Sequence, residues 1–410
     1  MSQQGPIIVV SNDGRPPLAD ALGDAKMFPV IGVAWDDASR AVAQLQPAAV
    51  LVVWSEDAEP GFVLLAEQIA ARAPYLPLIA VDPGPSLPEN AIPFSQTGGN
   101  FDRLIARLRA ALRVSTLHAT AIRRLDGDPA AREALREIDL AHDATLLLIG
   151  RGAAYPALSV SLGERVGVVG ALSIEAAAKH LNMRDVDGIV LAEGFTPRVV
   201  DAFLTVLAED ARFRNLPVVV TSEGLMPTYD LPNLEIISGT PEHIAANALP
   251  LIRQHAFEAH LRRTLRSIDA GGLLEPRTGL LTSAAFERDL AASLRQTLSR
   301  GGELSLARFA FDANNVRAQL DGARILSRLM RQMDFGTLQG DGSIVVAFAE
   351  ADLRTAHMIA RRLSSVMRHT SNGKREARSE PVVTVTSLLP SDTAKSLLAR
   401  LDDETRRAAS

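Results

Sequence analysis

Apolar runs and helical segments alternate along the first part of the chain. The runs Ile7–Val10, Val50–Trp54 and Leu76–Val81 are short and almost wholly apolar, and alanine-rich segments with helical spacing lie between them. Short apolar strands that alternate with helices are typical of a parallel sheet covered by helices on both faces. Residues 1–115 are therefore predicted to form a doubly wound α/β domain.

The same plan returns in residues 143–255, after a charged and largely helical spacer at 116–142. Two units of similar length and order indicate a tandem duplication. The second unit is therefore predicted to be another doubly wound α/β domain, with strands near 144–149, 165–169, 188–191 and 216–221 and helices near 174–181, 197–208 and 245–266.

A helical connector is predicted at 256–272. Phe257, Leu261, Leu265 and Ile268 recur at helical spacing and form an apolar stripe on one face of this helix. Such a stripe can pair with a second copy of the chain or pack against its own domain. The sequence leaves both alternatives open.

Residues 273–410 are predicted to form a third α/β domain. One strand is expected at Leu304–Asp312, and a strand–turn–strand hairpin is centred on Gly340-Asp341-Gly342. A loop that contains Lys374 precedes a β-branched strand at Val382–Thr386, and a last helix follows. Two strand-like segments on either side of a glycine-rich turn are typical of an antiparallel pair of strands.

Composition narrows the class of function. The 410 residues carry a net charge of −5, which argues against a general nucleic-acid binder or a membrane-surface binder, since both usually need a basic face. The chain has no cysteine, so disulfides, iron–sulfur clusters and thiol catalysis are excluded. No apolar run is long enough to span a membrane and no signal peptide is visible, so a cytoplasmic protein is predicted.

The residues that follow the strands of the first two units are mostly neutral. Ser11-Asn12 and Trp54 follow the first and third strands of the first unit. Gly150-Arg151-Gly152 and Ala192 stand at the equivalent places in the second. Both units resemble response-regulator receiver domains, which need acids there to hold Mg²⁺ and an aspartate to accept phosphate. We therefore predict two degenerate receiver domains with no phosphorylation residue.

Three further positions complete this comparison. Glu56 and Asp57, just beyond the third strand of the first unit, leave a displaced phosphorylation site open. Thr221-Ser222 stands where receivers carry a switch hydroxyl, and we interpret it as a strand-end cap. Receivers of this type also use a lysine after the fifth strand, and the first unit has none there.

The third unit carries motifs of another family. Its opening Glu275–Thr282, its segment Asp312–Asp321 and its turn Gly340–Ile344 resemble the three conserved elements of a GGDEF domain, the nucleotidyl-cyclase-like domain that makes cyclic di-GMP. Active cyclases need carboxylates there for metal ions that neutralise the triphosphates. The resemblance keeps Asp312 and loses the other acids, because Asn314, Gly342 and Ser343 stand in their places, and Leu320 replaces the asparagine that reads the guanine base. We therefore predict no cyclase activity, no catalytic residue and no metal.

An Arg–x–x–Asp motif, Arg331-Gln332-Met333-Asp334, precedes the turn by five residues. The spacing alone is weak evidence, because it recurs as surface-type pairs at Arg123/Asp126, Arg136/Asp139, Arg184/Asp187, Arg266/Asp269 and Arg400/Asp403. Its register against the turn is that of the GGDEF product-binding inhibitory site, so the resemblance implies that Arg331 and Asp334 bind cyclic di-GMP. An arginine can fork onto phosphate or onto guanine O6 and N7, and an aspartate can accept from the N1–H and N2–H edge of guanine. Arg300 is a candidate second cation.

The order receiver–receiver–GGDEF resembles the PleD class of diguanylate cyclases, and the lost catalytic residues resemble its non-catalytic, PopA-type members. That resemblance implies a cyclic di-GMP effector without further cofactor, located at a cell pole, which acts as an adaptor. Its implied partners are RcdA, the ClpXP protease and the cell-cycle regulator CtrA. A homodimer is expected. Two alternatives stay open: a residual diguanylate cyclase assisted by Asp312, and a ligand-independent dimeric scaffold.

Overall fold

A computed structural model describes residues 5–12, 16–27, 29–55, 59–84, 87–96, 101–136, 143–221, 229–367 and 380–409. The chain divides into two compact units. Unit 1 comprises Met1–Arg165, Ala171–Ile174 and Asp187–Leu261, and unit 2 comprises Val166–Gly170, Glu175–Val186 and Arg262–Ser410.

The first sheet contains five parallel strands and belongs to unit 1. Its strands are β1 (Ile7–Val10), β2 (Val30–Val33), β3 (Ala49–Val53), β4 (Leu78–Val81) and β5 (Ala91–Phe94), in the order β2-β1-β3-β4-β5. The helices are α1 (Pro17–Asp24), α2 (Trp35–Leu45), α3 (Glu59–Ala70), α4 (Asp102–Arg124) and α5 (Pro129–Arg136). This strand order is the doubly wound order shared by flavodoxin and CheY.

The second sheet repeats that order. Its strands are β6 (Thr145–Ile149), β7 (Gly167–Ala171), β8 (Gly188–Leu191), β9 (Val218–Val220) and β10 (Leu234–Ile236), arranged β10-β9-β8-β6-β7. The helices are α6 (Tyr155–Gly163), α7 (Ile174–Met183), α8 (Pro197–Glu209) and α9 (Pro241–Asp269). The α/β class with parallel sheets is therefore confirmed for both predicted repeats.

A buried ion pair joins helix α4 to strand β10 within unit 1. Arg107 of α4 and Glu235 of β10 are both fully buried and bonded to each other. Arg107 also donates to the backbone oxygens of Pro232 and Leu234, each at 2.9 Å. A guanidinium removed from water in this way needs all of these acceptors, because an unpaired buried charge costs several kcal/mol, of order 3–5.

The third sheet lies in unit 2 and is antiparallel. Its strands are β11 (Leu304–Ala310), β12 (Phe335–Leu338), β13 (Ile344–Ala349) and β14 (Val382–Ser387), in the order β12-β13-β11-β14. The helices are α10 (Ser283–Arg300), α11 (Val316–Leu329), α12 (Leu353–Met367) and α13 (Ala394–Ala409).

The strands of this sheet bury both faces. In β11, Leu304 and Leu306 face a cluster with α10 and α13, whereas Ala307 and Phe309 face a cluster with α11 and α12. This follows from the two-residue period of a strand, which sends alternate side chains to opposite faces. The core on both sides fixes the register of the hairpin that carries the turn Gly340–Ser343.

The connector predicted at 256–272 is the second half of α9. Phe257 packs edge-on against Tyr75 and His118 of the same unit, with ring centroids 5.8 and 5.0 Å away. The buried positions of this half include polar residues that the apolar stripe did not predict, namely Glu258, His260, Thr264 and Ser267. Phe257 therefore follows the alternative in which the stripe packs on its own chain.

Candidate functional site

The turn predicted from the sequence connects β12 and β13, which pair with Leu338 opposite Ile344. Gln339 N donates to Ser343 O at 2.8 Å and closes the turn. Gly342 has a φ of +80°, in the left-handed region that favours glycine. The Asp341 carboxylate accepts from the Ser343 N–H at 2.9 Å and from its hydroxyl at 2.7 Å. The polar groups of this turn are therefore bonded to one another.

A neutral side chain occupies the space beside the turn. A Cβ added to Gly342 would lie 2.3 Å from the amide of Gln319, on α11. Gln319 in turn donates to the backbone oxygens of Asp312 and Ala313, at 3.0 and 3.3 Å. The amide therefore ties the segment after β11 to the neighbourhood of the hairpin. No sequence pattern singles out Gln319, because its role depends on how close α11 comes to this turn.

The remaining acids near the turn lie apart from one another in the described part of the chain. Asp312 is exposed and accepts from the N–H of Asn314 at 2.9 Å. Leu320 is buried in α11. No group of three or more potential metal ligands occurs among the described residues. Asp312 and Asp341 thus remain as separate carboxylates, each serving a local turn.

Burial acts to raise the pKa of Asp341, but the hydrogen bonds from Ser343 and the charge of Arg308 outweigh it, so this pKa lies below its ordinary value.

The Arg331–Asp334 segment forms a turn of different character, between α11 and β12. Asp334 N donates to Arg331 O at 3.0 Å. One Asp334 carboxylate oxygen accepts from the Arg331 N–H at 3.3 Å and the other from the Ala349 N–H at 3.2 Å. Asp334 is only 8% exposed. Its carboxylate therefore holds the turn against the end of β13.

The Arg331 side chain is exposed, and its guanidinium makes no hydrogen bond or ion pair of 4 Å or less with any described residue. Burial raises the pKa of Asp334, while its two backbone hydrogen bonds and the nearby Arg331 charge oppose that rise. The structure thus brings Arg331 and Asp334 together in one turn. The Arg331 guanidinium is exposed, whereas the Asp334 carboxylate already accepts two backbone hydrogen bonds.

Other segments with the same spacing behave differently from the surface pairs that we expected. Arg184 is fully buried and pairs with Asp321, and Arg400 pairs with Asp392. Asp126 pairs with Arg132 and Asp403 with Arg406. The surface-pair interpretation is therefore wrong for Arg184 and Arg400, because carboxylates outside the motif, Asp321 and Asp392, bind their guanidinium groups. Asp139 lies outside the described residues.

Neutral groups follow β1 and β3 at the carboxyl edge of the first sheet. Ser11 is buried, Asn12 donates to the Ser55 hydroxyl at 3.2 Å, and the Trp54 ring covers Gly84 so closely that a Cβ there would lie 2.1 Å from it. Asp13, Glu56 and Asp57 lie outside the described residues. The displaced phosphorylation site therefore stays a prediction.

The carboxyl edge of the second sheet carries a cation. Arg151 donates to the backbone oxygen of Gly194 at 3.1 Å, and its guanidinium lies 5.1 Å from the centre of the Phe195 ring. The buried Thr221 hydroxyl bonds to no described residue, so the expectation that it caps the strand is wrong. Ser222 and Lys374 lie outside the described residues. Arg300 ends α10 and is exposed.

No protein-family model matches this chain, and no curated protein is similar to it. One solved structure that is similar in part is that of a sensory box/GGDEF family protein from Caulobacter crescentus CB15. The two sequences are 21% identical, the match covers 33% of this chain and 97% of that chain, and the TM-score is 0.30. The coiled coil and GGDEF domain of DgcB from Caulobacter crescentus in complex with c-di-GMP shows 16% identity, 35% and 83% coverage, and a TM-score of 0.28. The FimX GGDEF domain from Pseudomonas aeruginosa shows 18% identity, 33% and 94% coverage, and a TM-score of 0.29.

Among the described residues, none of the helices combines the length and the apolar character that crossing a membrane requires.

Proposed function

We propose that this protein is a non-catalytic cyclic di-GMP effector that binds its ligand at Arg331 and Asp334. The observation that carries the proposal is the exposed Arg331 guanidinium, which has no hydrogen-bond or ion-pair partner among the described residues and lies in one turn with a carboxylate. An open guanidinium offers a planar fork of N–H donors that matches phosphate oxygens or the O6 and N7 edge of guanine.

Asp334 takes the guanine edge in this proposal. Each of its oxygens accepts one backbone N–H and keeps a second lone pair for the N1–H or N2–H of guanine. Because the two backbone bonds hold the carboxylate in one orientation, little side-chain entropy is lost when the ligand binds. Arg331 supplies the charge and Asp334 the base preference. Arg300 is proposed as an additional cation for the second phosphate.

The turn Gly340–Ser343 supports the absence of catalysis in this proposal. Gly342 and Ser343 provide no carboxylate, and the Gln319 amide lies where a side chain at residue 342 would have to fit. Without carboxylates to hold metal ions, the negative charge of two nucleoside triphosphates stays unneutralised. The protein then reads the dinucleotide and does not make it.

The biological part of the proposal follows the resemblance to PopA-type members of the PleD class. The two degenerate receiver domains act as interaction domains in a homodimer, and the ligand-bound protein recruits RcdA, ClpXP and CtrA at the cell pole. The ligand shifts the population of conformers toward the form that binds partners, which requires that it bind that form more tightly.

Isothermal titration of the full-length protein with cyclic di-GMP tests the ligand. We expect saturable binding by the unmodified chain, loss of binding for Arg331→Ala, and unchanged binding for Arg288→Ala. Arg288 is a matched control because it is an arginine of the same unit, paired only with its neighbour Asp289 and 61% exposed.

Three outcomes decide against the proposal. No binding by the unmodified chain leaves the dimeric scaffold as the better account, and analytical ultracentrifugation should then show self-association without ligand. Equal binding by Arg331→Ala means that the ligand does not bind at Arg331. Formation of cyclic di-GMP from GTP and Mg²⁺ favours the residual cyclase.

A further inference from the structure

A second buried ion pair lies in unit 2, away from the turns described above. The Arg184 guanidinium, just after α7, is completely buried, and its Nη1 lies 2.5 Å from the carboxylate of Asp321 on α11. Its Nη2 donates to the backbone oxygen of Val366 on α12. Removing two charges from water is costly and seldom adds net stability compared with an apolar pair of the same size. We therefore explain this ion pair by the position in which it holds α11 against the segment that contains Arg184.

Arg328 binds the same segment from the next turns of α11. It donates to Arg184 O and to the Asp185 carboxylate, both at 2.8 Å, and lies 3.4 Å from Leu181 O. Asp321 and Arg328 are about two helical turns apart, so they lie on one face of α11. Together they hold the segment that ends α7 by its backbone and by the side chains of Arg184 and Asp185.

This helix face leads directly to the proposed ligand site. The last residue of α11 is Leu329, and Met330 N donates to Leu326 O to close the helix. Arg331 is the next residue, and Arg328 precedes it by one turn. The direction in which the Arg331 turn leaves the helix therefore depends on how firmly the last turn of α11 is held.

We propose that Arg184 and Asp321 are positioning residues for Arg331. They fix α11 against the segment Glu175–Val186, so that the helix presents the Arg331–Asp334 turn in one orientation. The inference rests on the proposed function, because the site that it positions is the cyclic di-GMP site. Because coupling between two sites is reciprocal, ligand bound at the turn strengthens the docking of Glu175–Val186.

The test uses the full chain and removes both charges at once, as Arg184→Met with Asp321→Leu, because a single change would leave one buried charge unpaired. The matched control is Arg107→Met with Glu235→Leu, which removes a fully buried pair in unit 1. Hydrogen exchange at residues 329–335 is measured without ligand, and cyclic di-GMP affinity is measured by titration.

We expect faster exchange at 329–335 and about tenfold weaker binding in the Arg184/Asp321 variant, within the usual range of coupling between sites. The Arg107/Glu235 variant should change neither. On addition of cyclic di-GMP to the unmodified chain, residues 175–186 should become more protected from exchange.

Unchanged exchange at 329–335 overturns the inference, and so does an equal change in the control, because general destabilisation then explains both. Faster exchange with unchanged affinity overturns it as well. If the unmodified chain binds no cyclic di-GMP, the proposed function fails separately, and the exchange at 329–335 still decides whether Arg184 and Asp321 position the turn.

Discussion

The two turns at either end of β12 contrast in how their polar groups are used. In Gly340–Ser343 the Asp341 carboxylate accepts both donors of Ser343. In Arg331–Asp334 the carboxylate accepts only backbone N–H groups, and the arginine points its charge to solvent. Both turns are of similar size and belong to the same sheet. Only the second offers a charged donor that no described residue uses.

Under the proposed function, this difference separates ligand recognition from catalysis. Catalysis of phosphoryl transfer uses several carboxylates aimed at metal ions, and Gly342 and Ser343 supply none. Recognition of a finished dinucleotide needs only a cation and an acceptor edge. The Arg331 turn provides both, and Asp334 is kept in place by backbone bonds that do not depend on the other turn.

Charge reversal gives the largest expected effect. Arg331→Glu should abolish cyclic di-GMP binding, since a good arginine contact to a guanine edge contributes about 1–3 kcal/mol and the new carboxylate also repels phosphate. Ser343→Glu places the same charge at the other turn and should leave binding within about twofold, a change too small to represent a lost arginine contact. Titration of both variants with cyclic di-GMP measures this difference. An equal loss of affinity in the two would indicate that both turns belong to one binding site.

Placing an acid in the turn Gly340–Ser343 should destabilise the fold and should not produce cyclase activity. Gly342→Asp puts a side chain at a φ of +80° and a Cβ 2.3 Å from Gln319, and left-handed backbone strain costs about 1–3 kcal/mol. Gly340→Asp is the matched control, because a Cβ there meets nothing within 4 Å. Denaturant unfolding measures both. Equal stability of the two variants would show that the turn tolerates a side chain at 342.

Removing one hydrogen-bond acceptor from the Arg331–Asp334 turn should lower the stability less than Gly342→Asp does. Asp334→Asn keeps one acceptor oxygen and loses the other, so one backbone N–H is left without its bond, at a cost of about 1 kcal/mol. The free energy of unfolding from urea titration is the measurement. A change no larger than that of Gln332→Ala, an exposed neighbour, would remove the structural role of Asp334.

The two carboxylates should respond to pH with opposite sign, which is the smallest expected effect. The pKa of Asp334 is raised above its ordinary 3.8 in the folded protein, so its contribution to stability is present below that value and is lost as the pH rises through the raised pKa. The pKa of Asp341 is lowered, so its contribution is present above 3.8 and is lost as the pH falls through the lowered pKa.

The unfolding free energy of Asp334→Asn and of Asp341→Asn, followed across acid pH, separates these contributions. Cyclic di-GMP binding should also weaken on acidification at a higher pH than an ordinary aspartate would cause, because the Asp334 carboxylate must be charged to accept from guanine. Parallel stability curves for the two variants would contradict the assigned directions.

Long apolar runs allowed most of the strands to be predicted, whereas β2, β5 and β10 were missed. These three strands have three or four residues each, and β5 contains Pro93. Short segments of this kind become strands because a neighbouring strand offers them a register, as Leu78 to Ala91 and Val218 to Leu234 do here. Local sequence carries little of that information.

The neutral residues Gly342 and Ser343 and the register of the Arg331 motif against the turn can be read directly from the chain, since both are properties of neighbouring residues. The partners of the charged side chains depend on the folded structure. Asp334 bonds to Ala349, 15 residues away, and Arg184 pairs with Asp321, 137 residues away. Arg184 and Arg331 have the same local motif, and they differ because burial removes one guanidinium from water and leaves the other exposed to solvent.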